Sequence, residues 1–121
     1  MARFRLSRPA QADLAHILAT STERWGIEGR RRYAAILAAA IRQLAADPKG
    51  PTTRDLAELA SGIRSFNVRH AHVNDPKAKV RRPVHVVYYR VIASGLIEIV
   101  RVLHERMEPS RHVGAESEDQ D

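Results

Sequence analysis

Residues 97–107 read IEIVRVLHERM. The first seven have the makeup of a buried strand: aliphatic and β-branched side chains in a run shorter than an ordinary helix. The end differs in kind. Arg101, His104, Glu105 and Arg106 gather at or just past the strand's last apolar residue. Such an ending has three readings: catalysis, partner binding, or a solvated strand end. The strand also has neighbours of its own type. Residues 84–91 (VHVVYYRV) are β-branched and aromatic, and Ala93-Ser94-Gly95 between the two runs reads as a hairpin turn. Residues 63–68 (IRSFNV) alternate, with Arg64, Phe66 and Val68 on one face. The three runs predict an antiparallel meander.

The period upstream is helical. Ala10, Leu14, Ile17 and Leu18 form an amphipathic stripe after Ser7, a helix-capping residue, with Pro9 in the first turn. Gly26 interrupts the pattern after Trp25. A second stripe follows in Tyr33, Leu37, Ala40, Ile41 and Leu44, ended by Asp47-Pro48 and Gly50-Pro51. Only a few residues separate the two stripes, so they predict an antiparallel helical hairpin. Residues 4–6 read as a short strand ahead of it, and residues 54–60 as one further helical turn. Helices segregated from strands indicate an α+β domain: the hairpin packs on one face of a three- to four-stranded antiparallel sheet. The other face is then free to carry charge. The domain is expected over residues 1–108. Residues 109–121 form a polar, acidic tail with the composition of disorder, and Asn74-Asp75-Pro76 marks a turn in a long basic loop.

The chain has 121 residues, enough for one domain with its own core. It has no cysteine, which excludes disulfides and thiolate chemistry. No signal peptide is expected, since the basic start (MARFRLSRPA) has no apolar run behind it. The longest apolar run, residues 34–41, is too short to span a bilayer. The chain therefore reads as cytoplasmic. Its net charge of +6 conceals an asymmetry: residues 1–104 hold 18 Lys+Arg against 8 Asp+Glu, and residues 105–121 hold 2 against 6. A body this basic attracts an anionic partner, such as nucleic acid, an acidic protein or its own acidic tail.

Five segments, in this order and spacing, carry a resemblance. They are Ala-x-x-Asp-Leu at residues 10–14, Leu-x-x-x-Pro at 44–48, Gly-x-Arg-x-Phe at 62–66, Val-Tyr-Tyr-Arg at 87–90, and Ile-x-Ile-Val-Arg-Val-Leu-His at 97–104. Together they resemble the ParE branch of the RelE/ParE toxin superfamily over residues 3–108. The resemblance implies the toxin of a type II toxin–antitoxin system, neutralised in a hetero-oligomer by a ParD-like antitoxin. It further implies DNA gyrase as the target. RelE-like relatives instead cleave mRNA on the ribosome, and a fold shared by both activities cannot choose between them.

RNA cleavage through the 2′-hydroxyl needs a base, an acid and a cation at the phosphate. The candidates here are His104, Arg101 and Arg64. The tyrosine that RelE-like enzymes carry near the C-terminus has no counterpart after Leu103. Binding is therefore the favoured reading, with Arg64, Arg90, Arg101, His104, Glu105 and Arg106 as antitoxin or target contacts and Glu105 to Glu108 facing the target. A ribonuclease and a non-toxic antitoxin-binding remnant are the alternatives. No metal or cofactor is expected, His70 and His72 being a pair without a third ligand. Neither membrane association nor sequence-specific DNA binding by this chain alone is expected. Arg30, Arg31 and Arg32 read as the solvated side of the second helix.

Overall fold

The computed structural model describes residues 2–73, 80 and 82–113. The elements follow in the order β1 (Arg3–Leu6), α1 (Arg8–Ala46), β2 (Thr53–Asp55), β3 (Arg64–Asn67), β4 (His85–Ala93) and β5 (Leu96–His104). Ser7 caps α1 by accepting the Ala10 N–H at 3.0 Å. Its hydroxyl also donates to the Val100 carbonyl at 2.7 Å, so one side chain starts the helix and fixes it to β5. The helical stretch is interrupted at Gly26, whose φ of 72° and ψ of −172° are not helical. Glycine takes this conformation without the Cβ penalty of other residues, so one residue makes the turn where the sequence suggests a short loop.

The two arms of α1 run in opposite directions over the sheet. The first arm passes from the Ser7–Val100 contact to Asp13 beside Val102. The second passes from Tyr33 beside His85 to the Pro48 carbonyl beneath Tyr89. Tyr89 pairs with Ile99, and His85 with His104, so the second arm retraces the path of the first. The apolar stripes are buried as expected: Ala10, Ile17, Tyr33, Leu37, Ala40, Ile41 and Leu44 all lie in the core.

Among the described residues five strands form one sheet in the order β1-β5-β4-β3-β2. The α+β class holds, but the sheet is mixed rather than antiparallel, because β1 pairs parallel to β5. Hydrophobic alternation specifies which residues lie inward but not which strand becomes the neighbour. Arg54 and Asp55, read as the start of a helical turn, instead belong to the strand Thr53–Asp55, which pairs with Arg64–Phe66. The turn at Gly50 delivers this segment to the open edge of β3 (Thr53 N–H to Gly50 O, 3.1 Å), and ladder pairing overrides its local propensity.

The outer sheet face is not bare. Ile63, Tyr88, Val100, Leu103 and Val113 are buried on it under Leu56, Leu59 and Ala60. Where a tail was expected from residue 109, Pro109–Arg111 form a 3-10 turn and Val113 is only 2% exposed. Residues 114–121 and the Asn74-Asp75-Pro76 turn signal lie outside the described residues.

Candidate functional site

The arginines singled out on the strands are engaged within the fold. Arg101 donates to Asp13 from Nε at 2.7 Å and Nη2 at 2.8 Å, and the Val102 N–H donates to the same carboxylate at 3.0 Å. Pairing of β1 with β5 ends at Ile99. Past that point a carboxylate on the first arm does what a strand neighbour would have done. Arg90 donates to Glu98 at 2.9 and 3.0 Å, and Arg5 approaches the other oxygen of Glu98 at 3.2 Å. Glu98 is only 7% exposed, so the two guanidinium groups supply the charge that permits its burial. Arg64 donates to the Pro48 carbonyl at 3.2 Å and to Thr53 Oγ1 at 2.8 Å, with Asp55 at 3.9 Å. Tyr89 donates to the same Pro48 carbonyl at 2.5 Å. These contacts lock the end of the hairpin to β3 and β4.

Of the three ribonuclease candidates, Arg101 and His104 line one groove and Arg64 lies apart from it. Arg64 pairs with Tyr89 and His104 with His85, four residues apart along β4, or about 13 Å at strand spacing. His104 accepts the Arg106 N–H on Nδ1 at 3.1 Å and closes the strand end. Glu105 sits 3.7 Å from Arg82 and its backbone N–H donates to Val84 O. Arg106 is exposed, and Glu108 caps the 3-10 turn by accepting from Ser110. His70 lies against the Phe66 ring, and the His72 N–H donates to Gln43.

The structure opens a groove of about 760 Å³ between the turn of the hairpin and the paired ends of β4 and β5. Among the described residues, four arginines (Arg24, Arg32, Arg82, Arg101) and four histidines (His16, His85, His104, His112) line it, against one carboxylate, Asp13. Arg101 and Arg82 have the partners described above. Arg24 and Arg32 have no ion-pair or hydrogen-bond partner among the described residues. Trp25 stands at the mouth, 67% exposed, and Met107 on the wall is 45% exposed. Gly29 faces the groove where any Cβ would lie 2.1 Å from the Trp25 Cβ, so the indole's position requires glycine there. Arg32, read from sequence as solvating, is thus a groove residue, while exposed Arg31 pairs with Glu28 at 3.5 Å. The missed signal was an aromatic residue beside a turn glycine with arginines on both sides.

The groove's inner end is a stack of polar rings. Tyr33 Oη lies 2.5 Å from His85 Nδ1 and accepts the Val84 N–H at 3.2 Å. The direction of the Tyr33–His85 hydrogen bond follows the tautomer of His85. The His85 and His104 rings meet edge-on, 5.7 Å between centroids. Burial, helped by repulsion from His104, lowers the His85 pKa to about 4, and burial raises that of Tyr33. At neutral pH His85 is an uncharged imidazole and Tyr33 an intact phenol. General acid–base groups work best with a pKa near the operating pH, and that of His85 lies well below neutrality. The arrangement suits recognition: an apolar floor, cations at the rim and few charges of opposite sign.

Comparison with known proteins agrees with this architecture. Residues 4–109 match the family model described as the ParE toxin of the type II toxin–antitoxin system, parDE. Toxin ParE1 of Caulobacter vibrioides is 35% identical over 114 residues, covering 94% of this chain and 100% of that protein. Toxin ParE1 of Mycobacterium tuberculosis is 33% identical over 111 residues, covering 92% and 97%. A solved structure titled as the chromosomal ParDE TA system from P. aeruginosa superposes with a TM-score of 0.63 at 18% identity, over 86% of this chain and 96% of the other, and so shares the fold. With the family model spanning nearly the whole described domain, the chain belongs to the ParE toxin family of type II toxin–antitoxin systems.

Proposed function

We propose that this chain is held inactive by a ParD-like antitoxin and, when released, blocks DNA replication by acting on DNA gyrase without chemistry of its own. One observation carries the first half: a cationic, partly apolar groove in which Arg24 and Arg32 are unpartnered among the described residues and Trp25 is exposed. Such a surface suits a short acidic segment with apolar anchors that folds as it binds. Apolar anchors supply most of the affinity and the cations supply steering and register. The residues named from sequence retain a part in this reading. His104 forms the groove's inner wall, Glu105 and Arg106 follow it, and Arg64, Arg90 and Arg101 hold the sheet in shape.

The second half rests on family membership and on the poor fit of the groove's ring stack to acid–base work. A poison that stabilises a cleaved DNA–enzyme complex needs surface, not a proton shuttle. The test is induction of the chain by itself in bacterial cells, with DNA and protein synthesis pulse-labelled in parallel. DNA synthesis should fail first, with a DNA-damage response. Failure of translation first, with cuts in mRNA that vanish on His104→Ala, would replace this reading with ribonuclease activity. Normal growth with soluble chain present would leave an antitoxin-binding remnant.

A further inference from the structure

Ser21 lines the groove and is only 8% exposed. One residue on, the Thr22 hydroxyl donates to the Leu18 carbonyl at 2.9 Å, a common outlet for a hydroxyl inside a helix. The Ser21 hydroxyl makes no such bond and has no partner among the described residues. Buried hydroxyls are as a rule bonded to protein, water or ligand, so this one marks a place for a ligand's polar atom. Four residues along the same arm stands the exposed indole of Trp25, held against Gly29, where a side chain would collide with it. Arg24 and Arg32 line the same groove without a partner among the described residues.

We infer that the groove binds a free nucleoside triphosphate, its base stacked on Trp25, its phosphates on Arg24 and Arg32, and a polar atom bonded to Ser21. An aromatic face takes any base, and a guanidinium fork matches phosphate oxygens. The groove's volume of about 760 Å³ lies within the range of small-molecule sites. Its lining carboxylate, Asp13, is neutralised by Arg101 and does not repel the phosphates. The Tyr33–His85–His104 rings close the inner end, which suits a compact ligand better than a continuous strand. The inference goes beyond the antitoxin reading. It gives the groove a small anionic occupant that competes with an acidic segment for the same two arginines.

ATP, adenosine and inorganic tripolyphosphate are titrated separately into the full chain by calorimetry at physiological ionic strength. ATP should bind at one site per chain. Adenosine, without phosphates, and tripolyphosphate, without a base to stack, should each bind about tenfold more weakly or worse. Arg24→Gln with Arg32→Gln, and separately Trp25→Leu, should each weaken ATP by about tenfold. Ser21→Ala should weaken it about threefold. Its urea midpoint should not fall, because the hydroxyl has no partner to lose among the described residues. Absence of ATP binding at millimolar concentration would overturn the proposal. Tripolyphosphate binding as tightly as ATP would do the same, because the groove would then read charge alone. ATP affinity unchanged in all three variants would place the nucleotide elsewhere and also overturn it. Single-stranded oligo-dA binding far more tightly than ATP would assign the groove to nucleic acid and overturn the free nucleotide. These titrations contain neither antitoxin nor gyrase, so their failure is distinct from failure of the proposed function.

Discussion

Four arginines of the sheet and two at the turn of the hairpin look alike in sequence and do opposite things. On the sheet, Arg5, Arg64, Arg90 and Arg101 are matched to acceptors inside the fold, and the acceptors Asp13 and Glu98 are themselves largely buried. At the turn of the hairpin, Arg24 and Arg32 have no such match among the described residues. The difference follows from where each backbone lies. A guanidinium on a strand finds carboxylates on the next strand or on the helix packed over it. One beside the hairpin turn projects past the sheet's end, where the fold offers few acids. Charge that completes the fold is costly to remove and unavailable to partners. Charge left over is cheap to remove and free to bind.

The largest test of that contrast is Asp13→Ala. It leaves the Arg101 guanidinium and the Val102 N–H without their carboxylate at a site where the two side chains are 13% and 20% exposed. Removing one partner of a mostly buried pair costs about 3 kcal/mol, which urea unfolding should show as a clear drop in midpoint. A loss under 0.5 kcal/mol would mean that Arg101 is solvated and available after all. The next effect is a pH dependence. Burial lowers the pKa of His85 to about 4 in the folded chain, against the ordinary 6.5 of a histidine in the unfolded one. Above pH 6.5 both states are neutral there and the group contributes no slope. As the pH falls from 6.5 towards 4 the unfolded state takes up a proton that the folded state refuses, so stability falls. Allowing for solvent screening at a half-buried site, the loss is about 1–2 kcal/mol. His85→Gln should flatten the profile over that interval. Smaller again is Tyr89→Phe, which removes the hydroxyl bonded to the Pro48 carbonyl. Arg64 still reaches that carbonyl, so the cost should be near 1 kcal/mol in the same assay.

Much of the fold was legible because it follows from periodicity. Both helical stripes, the turn glycine and the three long strands were readable from which residues repeat at which spacing. The parallel pairing of β1 was not, because Phe4 meets Ile97 across almost the whole chain and nothing local specifies that meeting. Val113 was hidden by its surroundings: a single valine in a polar segment carries no period, and only the apolar outer face around Tyr88 and Leu103 explains its burial. The candidate site was legible in its strand half and obscure in its helical half. His104 was singled out because it ends a strand. Arg24, Trp25 and Arg32 were passed over because a helix surface carries charge routinely, and only the third dimension shows which side faces a groove.

Arg24→Gln with Arg32→Gln sharpens the comparison where the expected effect on folding is smallest. Neither side chain has a partner to lose among the described residues, so unfolding free energy should stay within about 0.5 kcal/mol of the parent. Binding of a ParD-like antitoxin should nonetheless weaken. The steeper diagnostic is its salt dependence. If these two cations meet acidic residues of the partner, affinity in the parent falls as ionic strength rises, and the double variant loses most of that slope while keeping the apolar contribution from Trp25. An unchanged slope would move the electrostatic contact away from the groove. It would then have to fall on cations outside the groove, among them the exposed Arg30, Arg31 and Arg106.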